Sequence, residues 1–173
     1  QSETRTGLYD IVLGPYVLGW HGKNWHALQT LQIYVPTGSY DKDRLVNLSN
    51  NYWTIEPVFA FAYFGDNGFD ATAKFKYDIN TKNMDSRIIT PSGPKDVNYL
   101  SGQALDIDYA IGQRFKNFRI GVTGNLYKQI TDDEVDGDKI RNKSQSFSVG
   151  PAITYEYKYL FFELKFQKDF WVR

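Results

Sequence analysis

Phe69-Asp70-Ala71-Thr72-Ala73-Lys74-Phe75-Lys76-Tyr77-Asp78-Ile79-Asn80 alternates apolar and polar side chains without a slip. In an extended chain successive side chains point to opposite faces. Phe69, Ala71, Ala73, Phe75, Tyr77 and Ile79 therefore share one face, and Asp70, Thr72, Lys74, Lys76, Asp78 and Asn80 share the other. Upstream, Trp53, Ile55, Pro57, Phe59, Phe61 and Tyr63 fall on one face, with Thr54 and Glu56 opposite. Large apolar side chains on one face and charges on the other describe a wall between lipid and a polar interior. Tyrosine or tryptophan stands near many segment ends, as in the aromatic girdles of such walls. A soluble lipocalin-like barrel, apolar inside, fits less well, because its outward face would not carry the six apolar residues of 53–63.

Working outward, the pattern predicts eight strands, at about 8–20, 26–37, 52–64, 69–80, 99–114, 118–130, 144–157 and 160–172. The expected fold is all-β: an antiparallel up-and-down transmembrane β-barrel in a bacterial outer membrane, with 1–173 as one domain. The connections alternate in length. Short ones fall at 21–25, 65–68, 115–117 and near 158; long ones at 38–51, 81–98 and 131–143. Bacterial barrels have short periplasmic turns and longer extracellular loops, which orients the chain. The same parity starts the first strand and ends the last at the outer surface, and an open sheet edge is not tolerated in lipid. Eight strands are thus expected to lack at least one neighbour at each end, the complete barrel having ten to twelve. A closed eight-stranded barrel is the alternative.

Composition narrows the function. The 20 basic and 20 acidic residues balance, so no basic stripe points to nucleic acid. No run approaches the roughly 18–20 consecutive apolar residues of a spanning helix, but barrel strands hide their hydrophobicity in alternate positions. With no cysteine, thiolate nucleophiles, disulfides and sulfur-ligated metals are excluded. The polar face of the strands gives the candidate lumen residues Glu56, Asp70, Lys74, Lys76, Asp106, Asp108, Arg119, Glu163 and Lys165, with Asp78, Arg114, Gln129, Glu156, Gln167 and Asp169 beside them. Both signs recur on single strands, so these charges either pair into a plug or line a hydrated passage.

Other chemistry is thin. His21 and His26 flank a short turn and read as interface-facing side chains; five residues apart with no third ligand, they make a poor chelate. The segment 131–138 holds five acidic residues but lacks the spacing of a calcium loop, so it reads as a solvated loop. An ion held there would bridge to lipopolysaccharide phosphates. No catalytic residue, cofactor or metal is assigned, and no polar triad assembles at the outer rim.

Four further blocks carry a resemblance. They are 35–41 (VPTGSYD) followed by 47–57 (NLSNNYWTIEP), then 99–108 (YLSGQALDID), then 121–133 (GVTGNLYKQITDD) with Gly137, then 150–155 (GPAITY). In this order they resemble the family named for the MetA pathway of phenol degradation, over nearly all of 7–170. The resemblance implies an outer-membrane barrel longer at both ends and uptake of small hydrophobic or aromatic compounds. A structural barrel with a salt-bridged lumen is the rival. Expected partners are the lipid bilayer, lipopolysaccharide and a small hydrophobic or aromatic solute. The candidate entrance loop comprises Pro36, Thr37, Gly38, Tyr40, Asp41, Asn47 and Asn51, with Tyr52, Tyr99 and Tyr127 as flat contact surfaces having a polar tip. The same residues suit loop shaping alone, since asparagine and aspartate bond to nearby backbone. Pro57 and Pro151 sit inside strands, where each removes a ladder donor and predicts a bulge or gap.

Overall fold

The computed structural model describes residues 4–172. It has fourteen strands and no helix among those residues: β1 Ile11–Leu13, β2 Val17–His21, β3 Trp25–Val35, β4 Thr54–Phe64, β5 Phe69–Asn80, β6 Asn83–Thr90, β7 Gly93–Leu100, β8 Ala104–Phe115, β9 Phe118–Gln129, β10 Asp133–Val135, β11 Asp138–Ile140, β12 Gln145–Tyr157, β13 Leu160–Lys165 and β14 Lys168–Val172. Ten of them form one antiparallel meander in eight rows. The rows run β1 and β2 end to end, then β3, β4, β5, β8, β9, β12, and last β13 and β14 end to end. Within the described residues no ladder joins the first row to the last, so the sheet has two open edges.

The eight rows match the eight predicted strands, with local corrections. The segment 8–20 is two strands, because Gly14-Pro15-Tyr16 interrupts it and shifts the register by one residue between Leu13↔Ile33 and Val17↔Thr30. The strand expected from residue 99 begins at Ala104; Tyr99 and Leu100 belong to another sheet. That second sheet, ordered β11-β10-β7-β6, occupies two of the predicted loops. Its strands escaped prediction because Asn83–Thr90 and Gly93–Leu100 do not alternate cleanly and face no lipid. Its β10–β11 hairpin turns through Asp136 (φ 53°) and Gly137 (φ 95°), both left-handed, as a two-residue mirror-image turn demands.

Neither internal proline makes a bulge. β4 and β5 keep one register from Thr54↔Asn80 to Phe64↔Asp70, with two pairs missing beside Pro57. β13 and β14 likewise keep register across Phe166 and Gln167, which face Gly150 and Pro151. These are gaps, as expected where a donor is absent. The one shift in β12–β14 lies elsewhere, between Phe147 and Ser148.

The burial is inverted relative to a soluble domain. Among the described residues only Leu48, Val58, Val97 and Ala104 are buried apolar side chains, against eleven buried polar or charged ones. Trp53 just before β4 and Ile55, Phe59, Phe61 and Tyr63 along it are exposed, while Thr54, Glu56 and Val58 between them are buried. The exposed apolar face continues through Phe69, Phe75 and Ile79 of β5 and Ile120 and Val122 of β9. Such a face is stable only against lipid, since water would meet a contiguous apolar surface across several strands.

Candidate functional site

Cross-strand register brings the predicted lumen residues to one face. Lys76 faces Asp106 and Lys74 faces Asp108 across β5–β8; Asp108 faces Asn125 across β8–β9. Arg119 faces Thr154 on β12, which faces Glu163 on β13, and Ala152 faces Lys165. Glu56 and Asp70 lie on the same side. Side chains from Val17 on the first row and Lys165 on the last line a common cavity, so the sheet is curled and this face is concave.

Four layers stack on the concave face between the long-loop end and the short-turn end. At the long-loop end is a polar vestibule of about 360 Å³, lined by Tyr34, Tyr52, Thr54, Asn80, Tyr127, Gln129 and Asp133 among others. Tyr34 donates to Glu56 at 3.4 Å, and Thr54 Oγ1 donates to Asn80 at 2.7 Å.

Below it comes a charged layer. Lys76 Nζ lies 3.2 Å from Asp106 and 2.9 Å from Asp108, and Asn125 Nδ2 donates to both carboxylates, at 2.6 and 2.9 Å. This is a closed polar network, the form in which partly desolvated charges are tolerated.

The third layer is apolar. Leu28 of β3, Ala60 and Ala62 of β4, and Ala110 of β8 face a chamber of about 600 Å³, with Thr72 and Thr123 beside them and Lys74 and Lys165 reaching in. The chamber exists because mid-strand concave positions carry small side chains. Alanines at these positions (Ala60, Ala62 and Ala110) are the sequence signal that marks it.

At the short-turn end a second charged layer closes the stack. Asp70, 4% exposed, lies 3.0 Å from Arg119 Nε. Gly112 and Gly121 face each other beneath this pair. A Cβ on Gly112 would come within 3.3 Å of both Arg119 Cγ and Asp70 Oδ1, and one on Gly121 within 2.2 Å of the Ile111 carbonyl. Gly112 thus leaves room for the Asp70–Arg119 pair, and Gly121 for the close approach of the Ile111–Gly112 backbone. Arg119 also sits over the Phe64 ring, 5.9 Å from its centre.

His21 and His26 require a correction. They are paired residues of β2 and β3 on the concave side, not interface-facing, and their Nδ1 atoms are 2.8 Å apart. The first row is apolar on both faces, so alternation could not assign its sides.

The predicted entrance residues divide. Tyr52 and Tyr127 line the vestibule. Most of the others brace loops. The Asp41 N–H donates to Asn47 Oδ1 at 2.9 Å, and the Asp41 carbonyl accepts from Asn47 Nδ2 at 3.1 Å. Asp10 accepts from the N–H groups of Gly38 and Asn50. Thr37 Oγ1 accepts from the Ile11 N–H at 3.0 Å, and Pro36 follows the end of β3. Asn51 donates to the buried Asn83 at 2.8 Å, and Asn83 donates to Tyr40 at 3.1 Å.

The loop sheet is held by charge. Tyr99 donates to Asp133, which also accepts from the Gly102 N–H at 2.7 Å, Gln129 at 2.7 Å and Asn142 at 2.6 Å. Burial pulls the Asp133 carboxyl upward, but these donors outweigh it and hold it below the usual carboxylate range. Burial and the Asp133 charge push the Tyr99 phenol up to about 12. Outside, Lys42 bridges Asp85 and Asp96 at 2.7 and 2.9 Å, while Arg87 bridges Asp96 and Asp43. Hydrogen bonds from Arg87 and then Lys42 pull Asp96 down to about 2. Asp136 accepts from the Asn98 N–H and Lys95. Two carboxylates of the acidic segment are therefore committed to protein donors, and no three metal-ligating side chains converge among the described residues.

Comparison with known proteins adds two findings. The profile of the family described as "Putative MetA-pathway of phenol degradation" matches residues 1–173. The crystal structure of an outer membrane channel from Pseudomonas putida F1 superposes with a TM-score of 0.77 at 13% identity, covering 94% of this chain and 60% of that one. At that identity the likeness concerns fold, and the chain spans 60% of the channel's length. No curated protein matches.

Proposed function

Because the chain belongs to the family described as "Putative MetA-pathway of phenol degradation" and lies in the bacterial outer membrane, we propose that it forms the wall of a passive channel for small hydrophobic or aromatic molecules. The observation that carries this reading is the apolar chamber of about 600 Å³ between two charged layers on the concave face. Its volume falls within the range of small-molecule sites, and a polar lumen has no other use for a lining of leucine, alanine and threonine. Tyr52 and Tyr127 would meet the solute first, in the vestibule. Further strands completing the barrel at the open edges, a surrounding bilayer and lipopolysaccharide against the long-loop end belong to the same proposal.

The test is uptake of labelled phenol and toluene by cells lacking the protein and by the same cells supplied with it. Faster uptake in the supplied cells is expected; equal rates would remove the reading. A structural barrel with a sealed lumen is the second reading, supported by the Lys76 and Asp70–Arg119 ion pairs. Single-channel conductance in planar bilayers separates the two, because a sealed lumen passes no current.

A further inference from the structure

We propose that the chamber takes amphipathic organic anions, a ring bearing one carboxylate, with the carboxylate seated on Lys74. The inference rests on the channel reading above and names the solute class for it. Lys74 and Asp108 are direct cross-strand partners, the arrangement in which opposite charges pair across a sheet. They do not pair here. Asp108 Oδ2 is taken by Lys76 on the diagonal at 2.9 Å, and Asp108 Oδ1 by Asn125 at 2.9 Å. Asp106 is held by the same two side chains. Among the described residues Lys74 has no hydrogen-bond or ion-pair partner, although its own neighbours are acidic. Lys74 lines the chamber, and none of its ammonium's three donors is taken by a described residue.

An unpaired cation at the edge of an apolar cavity discriminates by head group. A carboxylate gains a charge-assisted hydrogen bond while its ring fills the space against Leu28 and Ala60. A neutral ring gains only the apolar contact, and an ammonium is repelled. Lys165 stands on the opposite wall of the same chamber, paired with Glu163 at 3.0 Å, and so does not compete for the seat. In the charged layer above, Lys76 is the cation that bonds to Asp106 and Asp108, and Lys74 is left with its donors open.

The experiment is equilibrium binding of benzoate, benzylamine and toluene to the purified protein in detergent, for the natural sequence and for Lys74→Gln, Lys74→Arg and Lys23→Gln. Benzoate is expected to bind at least about tenfold more tightly than benzylamine, the usual scale for one hydrogen bond to a charged group. Lys74→Gln should remove that preference and leave toluene unchanged, Lys74→Arg should restore it, and Lys23→Gln on the exposed turn should do nothing. Equal binding of benzoate and benzylamine, or an unchanged preference in Lys74→Gln, would overturn the proposal. Toluene binding without a benzoate preference overturns this proposal and spares the channel reading. Absence of binding by toluene and benzoate alike removes both.

Discussion

Asp70 is the residue on which the short-turn end depends. It is 4% exposed and holds Arg119, whose side chain keeps about a third of its surface. Removing one partner of a buried pair strands the other charge. Asp70→Ala should cost about 2–3 kcal/mol in urea unfolding, at the low end for such pairs because the guanidinium partly rehydrates. Asp133→Ala leaves four donors facing an apolar methyl. A loss of about 2–4 kcal/mol is expected from the same measurement, with Asp133→Asn milder because one acceptor oxygen remains. At this scale the sequence was readable wherever alternation was clean. Glu56, Lys74 and Asp108 could be assigned a side because their strands alternate. His21 and His26 could not, and Asp133 looked like one of five solvated carboxylates. Its burial depends on Tyr99 and Gly102, which are far away in the chain and near only after folding.

At the scale of elements, the wall and the loop sheet respond to different forces. The wall is held by ladder bonds and lipid contact, the loop sheet by ion pairs on exposed surface. Asp96 is held at about 2 in the folded state, below the ordinary carboxylate value near 3.9. The stabilisation it lends is complete above about pH 4 and is lost as pH falls toward 2. Asp133, also held low, acts in the same direction. Protease cleavage within 83–100 and 133–140 should therefore rise between about pH 4 and 2 while the wall strands stay intact, readable by mass spectrometry after limited digestion with pepsin. Simultaneous loss of both would mean that the sheets are one cooperative unit. Strand existence was legible from period two; strand interruption was legible only in part. Pro57 and Pro151 announced missing donors, but whether a chain answers with a bulge or a gap depends on what the partner strand does. Here both registers run straight through.

For the whole molecule, the medium decides which face is stable. Phe59 lies on the exposed face of β4, midway along the strand. Phe59→Arg should destabilise the protein in bilayers by about 2–4 kcal/mol, the cost of a basic side chain at midplane, measured by denaturant unfolding from vesicles. The open edges give a second prediction. If further strands complete the wall as proposed, the amides of 11–21 and 160–172 that lack partners in this sheet should exchange slowly in a bilayer. Fast exchange along both edges would count against closure. Sequence periodicity could state that a wall exists and which way it faces. Its circumference is a property of every strand together and cannot be read from any eight of them.

The loop sheet has a consequence for the order of events. Neighbouring wall strands are also neighbours in the chain, so the meander can be laid down one hairpin at a time. The loop sheet cannot. Its strands come from the connection after β5 and from the connection after β9, and Lys42 and Asp43 join it from the connection after β3. It can knit only once β8 and β9 are in place. A latch of this kind forms after the wall it rests on, so its presence on the outside of a cell would mark a protein that has finished assembling.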